Sequence, residues 1–165
     1  MRKALDQYLE EMGTDYIDIV LLHCLTDRSP IEQREGAMEV LSEAKEKGTV
    51  RTIGASYHSI KGLQAAAKTP WLEVVLARIN PLGVRMDADT PTVISALKDL
   101  KAAGKGVIGM KILGEGVLSD RVDMALQHAV SLDCLDCFTI GPGNKEELDG
   151  LIKGIPAASE AVKAA

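Results

Sequence analysis

Gly13-Thr-Asp-Tyr-Ile-Asp-Ile-Val-Leu-Leu-His23 decides the fold. Gly13 is a natural stop for the helical pattern over residues 2–12, because the left-handed turn that ends a helix carries no Cβ penalty at glycine. Residues 16–22 (YIDIVLL) follow as an apolar run with Asp18 the only charge inside it. Such a run suits a strand buried on both faces of a parallel sheet. His23 then stands at the strand's carboxyl end, where α/β proteins collect their chemistry.

The alternation of helix and strand continues outward from this stretch. Ser29-Pro30-Ile31-Glu32 reads as a capping box with Pro at the first helical position, opening a helix to Lys47 that Gly48 ends. Residues 50–56 (VRTIGAS) form the second strand, and a helix runs from Ser59 to Lys68. Residues 72–79 form the third strand; Thr90-Pro91 opens a helix to Ala103, stopped by Gly104. Residues 106–112 (GVIGMKI) form the fourth strand, and Ser119-Asp120 caps a helix to Leu132. Residues 136–141 (DCFTIG) form the fifth, Asn144 with Glu147 caps a helix to Lys153, and a short Ala-rich helix closes the chain. Five strands, each followed by a helix, fit repeated βαβ units of about 30 residues. No linker interrupts them, so residues 1–165 read as one domain.

Composition narrows the function classes. Aromatic residues make up only 3% of the chain, so Val, Ile, Leu, Ala and Met must build the core. The net charge of −5 and the lack of a Lys/Arg cluster argue against nucleic acid and anionic membrane as partners. No apolar run approaches the roughly 18 residues of a membrane span, and Met1-Arg2-Lys3 leads into an amphipathic helix rather than a signal sequence. Three cysteines cannot all pair, which is the usage of a reducing cytoplasm. Cys134 and Cys137 form a Cys-x-x-Cys without a second pair, a poor zinc site, so no metal is expected.

Two architectures compete. A closed (β/α)₈ barrel takes eight strands and about 250 residues. Five strands would suit an open doubly wound sheet, a self-standing module that binds a nucleotide or small ligand without catalysis. Against the open sheet, His23-Cys24-Leu25-Thr26-Asp27 stands where a dinucleotide fingerprint would follow the first strand. That strand also carries little of the charge or proline that protects a sheet edge. The pattern is that of a sheet that has lost neighbours.

Four segments, GTDYIDIVLLH (13–23), VRTIGASYHS (50–59), VIGMKILGEG (107–116) and FTIGPGNKEEL (138–148), together resemble the C-terminal part of an aldo-keto reductase. They come in that family's order and at its spacing. The resemblance implies an α/β fold, a partial (β/α)₈ barrel whose five parallel strands match the family's strands four to eight. It implies an NAD(P)-dependent oxidoreductase that reduces a small aldehyde or ketone by hydride transfer. The family's catalytic Asp, Tyr and Lys come from strands that have no match here, while its catalytic His matches His23. The chain alone is therefore expected to be inactive or very weak. The missing N-terminal half of the barrel, or self-association, would complete it.

The resemblance also assigns a cofactor set. Ser56 and Tyr57 match contacts to the nicotinamide carboxamide, and Met110 takes the place of the aromatic residue that stacks on the ring. Lys111 would meet a phosphate or a substrate carboxylate, with a pairing to Glu115 as the alternative. Gly114 and Gly116 would let backbone approach a pyrophosphate. Gly141, Gly143, Asn144 and Glu147 fall where the family binds the adenosine end beside a helix N-terminus, a natural phosphate site. Glu147 would repel a 2′-phosphate and suits a ribose hydroxyl, which leaves NADP or NAD as the expected cofactor. His58 has no matched role and reads as a loop residue. The family's glutamine contact falls on Leu76.

Overall fold

Left-handed glycines punctuate the chain where the sequence places them. In the computed structural model, which describes residues 1–27 and 30–164, the first helix α1 (Arg2–Met12) ends at Gly13 with φ 63°. The N–H groups of Gly13 and Thr14 return to Glu10 and Leu9. Gly48 and Gly104 take φ 77° and 75° after the second and fourth helices. The strands are β1 (Ile17–Leu25), β2 (Val50–Tyr57), β3 (Val74–Arg78), β4 (Gly106–Met110) and β5 (Cys137–Phe138). The further helices are α2 (Glu35–Glu46), α3 (Ile60–Ala66), α4 (Thr90–Ala102), α5 (Val122–Ser131) and α6 (Lys145–Ala164), with single 3₁₀ turns at Ile31–Arg34 and Gly114–Gly116.

Strand order separates the two architectures. The sheet runs β1-β2-β3-β4-β5, every neighbouring pair parallel. A doubly wound sheet reverses its order at a switch point, and none occurs here. The chain is an arc of a singly wound barrel, five strands long.

The two faces of that arc differ. On the outer face Leu22, Ile53, Ala55, Val75, Ala77 and Val107 join Leu41, Leu63, Leu97 and Leu100 in one buried core. On the inner face Ile17, Ile19 and Leu21 alternate with them along β1, in register with Val50, Thr52 and Gly54. Ile19 remains 41% exposed, Leu21, Leu76 and Ile108 are half-buried, and Cys137 is exposed. Apart from Asp18, residues 17–22 of β1 are thus apolar on both faces, yet Ile19 on the inner face is left exposed.

Several boundaries depart from the sequence reading. Pro30 is the N-cap of the 3₁₀ turn rather than the first residue of α2, and Ser29 lies outside the described residues. Thr90 does open α4, with the preceding Asp89 as its cap, the carboxylate accepting from the Thr92 N–H at 2.8 Å. Ser119-Asp120 does not cap α5, which starts after Arg121 without a side-chain cap. The last helix does not stop at Lys153: α6 passes through Gly154 and Pro156 to Ala164. Packing of Leu151 and Ala158 against Leu126 holds the two halves together, which outweighs the roughly 3 kcal/mol preference against an interior proline. β3 is shorter than 72–79, and β5 holds only Cys137 and Phe138 in the ladder.

Candidate active site

The site begins with an irregularity in β1. Its pairing with β2 slips between Leu22 and Leu25. At the slip Cys24 takes φ 56°, and its N–H donates to the Ser56 hydroxyl at 2.7 Å. A bulge of this kind re-aims the side chains beside it, and such bulges gather next to active sites. Here it sets His23 on the inner face at the strand's carboxyl end, exposed. Ser56 is only 2% exposed. Its hydroxyl oxygen supports the bulge, so Ser56 acts on the backbone that presents His23.

A second imidazole stands beside the first. His58 follows β2, and its N–H donates to the Leu25 carbonyl at 2.8 Å, tying it to the end of β1. The next residue, Ser59, donates to the Asp27 carboxylate and accepts from the Gly62 N–H at 3.0 Å as the cap of α3. With the backbone held on both sides, the His58 ring meets the His23 ring edge-on, centroids 6.3 Å apart and planes at 65°. Burial holds the His58 pKa below the usual histidine value, and Arg78, His23 and Lys111 push the same way against Asp87. His58 is the functional candidate that sequence reading passed over. One signal could have found it: both histidines lie at the carboxyl ends of adjacent parallel strands.

Tyr57 goes elsewhere. It is 4% exposed and lies on the outer side with Leu25, Ile31, Glu32 and Gly62, away from the cavity that holds Met110 and Lys111. Burial, with Glu32 adding to it, pushes its hydroxyl up to about 12. The structure therefore does not bring Tyr57 together with Met110 and Lys111, the candidates in that cavity. Tyr8 and Tyr16 are exposed on the surface, and Tyr16 lies under the Arg51 guanidinium at 3.8 Å.

Of the remaining candidates, Met110, Lys111, Gly116, Gly141 and Glu147 line one cavity of about 490 Å³ together with Leu76 and Glu115, whereas Gly114, Gly143 and Asn144 are not among its lining residues. That volume lies within the range of small-molecule and cofactor sites. Met110 is buried at the end of β4, paired in register with Arg78. Lys111 takes φ 60°, and its carbonyl accepts from Asn80 Nδ2 at 3.3 Å and from the Gly114 N–H at 2.8 Å. Its ammonium pairs with Glu115 at 2.9 Å, and Glu115 also reaches Arg85 at 3.4 Å. The Lys111 hydrogen bond and charge hold the Glu115 carboxyl below its ordinary range. Arg78 is held by Asp87 through Nε and Nη2, a two-bond contact along one guanidinium edge.

Gly114 is buried at φ 57°, where a Cβ would press on Val84 at 3.1 Å, whereas Gly116 and Gly141 face open space. At the start of α6, Asn144 Oδ1 accepts from the Glu147 N–H at 2.9 Å, and the Glu147 carboxylate accepts from the Gly143 N–H at 2.7 Å. This reciprocal cap occupies donors that an incoming phosphate would need. Cys134 is buried and Cys137 exposed, both as free thiols. No group of three or more metal-ligating side chains occurs among the described residues, and no described helix is long and apolar enough to cross a membrane.

Comparison with known proteins agrees with this fold. An aldo-keto reductase of Schizosaccharomyces pombe, whose name carries NADP(+), is 29% identical over 99 residues, 60% of this chain and 28% of that protein. L-Galactose dehydrogenase of Arabidopsis thaliana is 29% identical over 128 residues, 73% of this chain and 37% of that protein. A solved structure assigned to the aldo-keto reductases, from Pseudomonas aeruginosa, superposes with a TM-score of 0.75 at 19% identity, covering 95% of this chain and 58% of that one. The chain thus spans well under two thirds of the length of each. The model of the Aldo/keto reductase family matches residues 1–132. With four-fifths of its length under that match and its strands in barrel order, the chain belongs to the aldo/keto reductase family.

Proposed function

We propose that this site serves NAD(P)-dependent reduction of a small aldehyde or ketone, with His23 orienting the carbonyl. The placing of His23 carries the reading. A bulge supported by Ser56 sets its imidazole at the carboxyl end of β1, on the inner face. An N–H aimed at the charge that develops on a carbonyl oxygen lowers the barrier to reduction.

When bound, a nicotinamide cofactor supplies the hydride. The cavity suits part of it: Met110 gives an apolar wall, Lys111 a cation, and Gly116 and Gly141 an open backbone. The adenosine end does not suit a 2′-phosphate, because the Glu147 carboxylate already takes the Gly143 N–H there. NAD is the better match to these residues.

The proton needs its own donor within hydrogen-bond reach. Tyr57 is buried on the wrong side with its hydroxyl held near 12. This stretch alone is therefore inactive or very weak, and the donor comes from a completed barrel, through the matching N-terminal strands or a second chain. The test is to measure NADH and NADPH binding by cofactor fluorescence, together with reduction of 4-nitrobenzaldehyde, on the purified chain. NADH should bind more tightly than NADPH, with turnover at or near zero. Turnover at about 1 s⁻¹ or faster, ordinary for an enzyme, overturns the donor argument. Failure to bind either dinucleotide overturns the cofactor assignment.

A further inference from the structure

We propose that His58 is a second substrate-contacting residue, its ring N–H sharing one carbonyl oxygen with His23. This rests on the carbonyl-reduction reading above and adds a residue to it. The two rings lie 6.3 Å apart at their centres and meet at 65°. An oxygen bonded at about 2.9 Å to one nitrogen of each ring lies about 4 Å from each ring centre. Two such reaches exceed the 6.3 Å separation, so the spacing of the rings allows one oxygen to contact both.

The backbone makes this pairing a built feature. The Cys24 N–H is held to Ser56, and the His58 backbone N–H to Leu25, so the backbone beside each ring is tied to the other's strand. The groups whose charge reaches His58 are Arg78, Lys111 and His23 on one side of the balance and Asp87 on the other. Half-burial among three cationic or protonatable neighbours keeps His58 neutral near pH 7. A neutral imidazole still has one N–H to donate, so His58 polarises the carbonyl by hydrogen bonding while proton delivery stays with another group.

The test uses the ¹⁵N-labelled chain with saturating NAD⁺ and acetophenone as the ketone probe, read by the side-chain resonances of its three histidines. His58 and His23 should shift along one binding curve while His128 stays still. His58→Phe should weaken acetophenone binding about three- to tenfold, with His23 still responding. In a pH titration, His23→Gln should move the His58 midpoint upward. If His23 responds to acetophenone and His58 does not, the proposal fails and the reading of His23 stands. If neither responds, both fail. The wild-type titration decides between these outcomes even if a variant does not fold.

Discussion

Asn80→Asp changes one functional group at the junction between the fold and the site. Asn80 is 0% exposed and uses its whole side chain. Oδ1 accepts from the N–H groups of Leu82 at 3.3 Å and Val84 at 3.0 Å. Nδ2 donates to the carbonyls of Val84 at 2.7 Å and Lys111 at 3.3 Å. Aspartate keeps the shape and the two accepted bonds, but it turns the donor into an oxygen facing two carbonyl oxygens. Two buried donor bonds are lost, at roughly 1–3 kcal/mol each, partly offset by relaxation. The net loss should be about 2–4 kcal/mol at pH 7.5. A buried carboxyl among carbonyls also takes up a proton more readily than in the unfolded chain, so its folded pKa is raised. The native variant then binds more protons than the unfolded one, and its stability falls as pH rises through that interval. The deficit against wild type should therefore be smaller at pH 5 than at pH 7.5. Urea unfolding followed by the fluorescence of Trp71, the chain's single tryptophan, measures both. A variant within 0.5 kcal/mol of wild type at pH 7.5, or an equal deficit at both pH values, would refute the account. Because the same side chain holds the carbonyl of Lys111 at φ 60°, loss of the bond should also loosen the cavity wall.

Gly54→Ala would place a Cβ 1.9 Å from the Val74 carbonyl oxygen, inside the β2–β3 ladder, and should cost about 3 kcal/mol or more. Gly36→Ala, in α2 with nothing within 4 Å of the new atom, should gain about 0.5–1 kcal/mol; thermal melts should rank the two on opposite sides of wild type. Lys105 is buried and donates to the Thr69 and Leu72 carbonyls at 2.8 and 2.7 Å. Lys105→Met should lower the urea midpoint by an amount equivalent to about 2–4 kcal/mol, and an unchanged midpoint would show these bonds to be dispensable. Burial lowers the His128 pKa, and its Nε2 is buried without a hydrogen-bond partner among the described residues. The unfolded chain therefore binds that proton first, and stability should decline as pH falls below about 6.5 toward the folded value. His128→Leu should flatten part of that decline, His58 supplying the rest in the same direction; an unaltered slope between pH 7.5 and 5 contradicts this.

Local chemistry made most elements legible. Gly13, Gly48 and Gly104 each end a helix in the left-handed conformation their position demands, and Ser59 and Asn144 cap as hydroxyl and amide side chains do. What stayed hidden depends on contacts between distant segments. Nothing within DCFTIG limits the ladder to two residues. Of the β4 residues, only Ile108 and Gly109 pair across to β5. Pro156 is a helix breaker by local rule, and only the seat of Leu151 and Ala158 on α5 lets α6 run past it. Ser56 reads as a strand-end hydroxyl until the slip in β1 brings the Cys24 N–H to it. The register shows what His58 stands beside: with Leu25 facing Tyr57 the ends of β1 and β2 meet, and the two imidazole rings lie 6.3 Å apart.

The most telling residues for function are those of the inner face. A strand covered on one side alternates apolar and polar residues, whereas Ile17, Ile19 and Leu21 are apolar where Val20 and Leu22 are as well. That pattern is written for burial on both sides, yet Ile19 stays 41% exposed and the paired sheet stops at two residues in β5. In a closed barrel the inner layers are filled by side chains from alternate strands, and Leu21, Leu76 and Ile108 occupy such positions. The outer core gives the arc enough packing to hold the strands in register. The inner face gives it a reason to be completed. His23 and His58 stand at the rim of that same face, so whatever covers Ile19 and Leu21 also shapes the space in front of the two imidazoles.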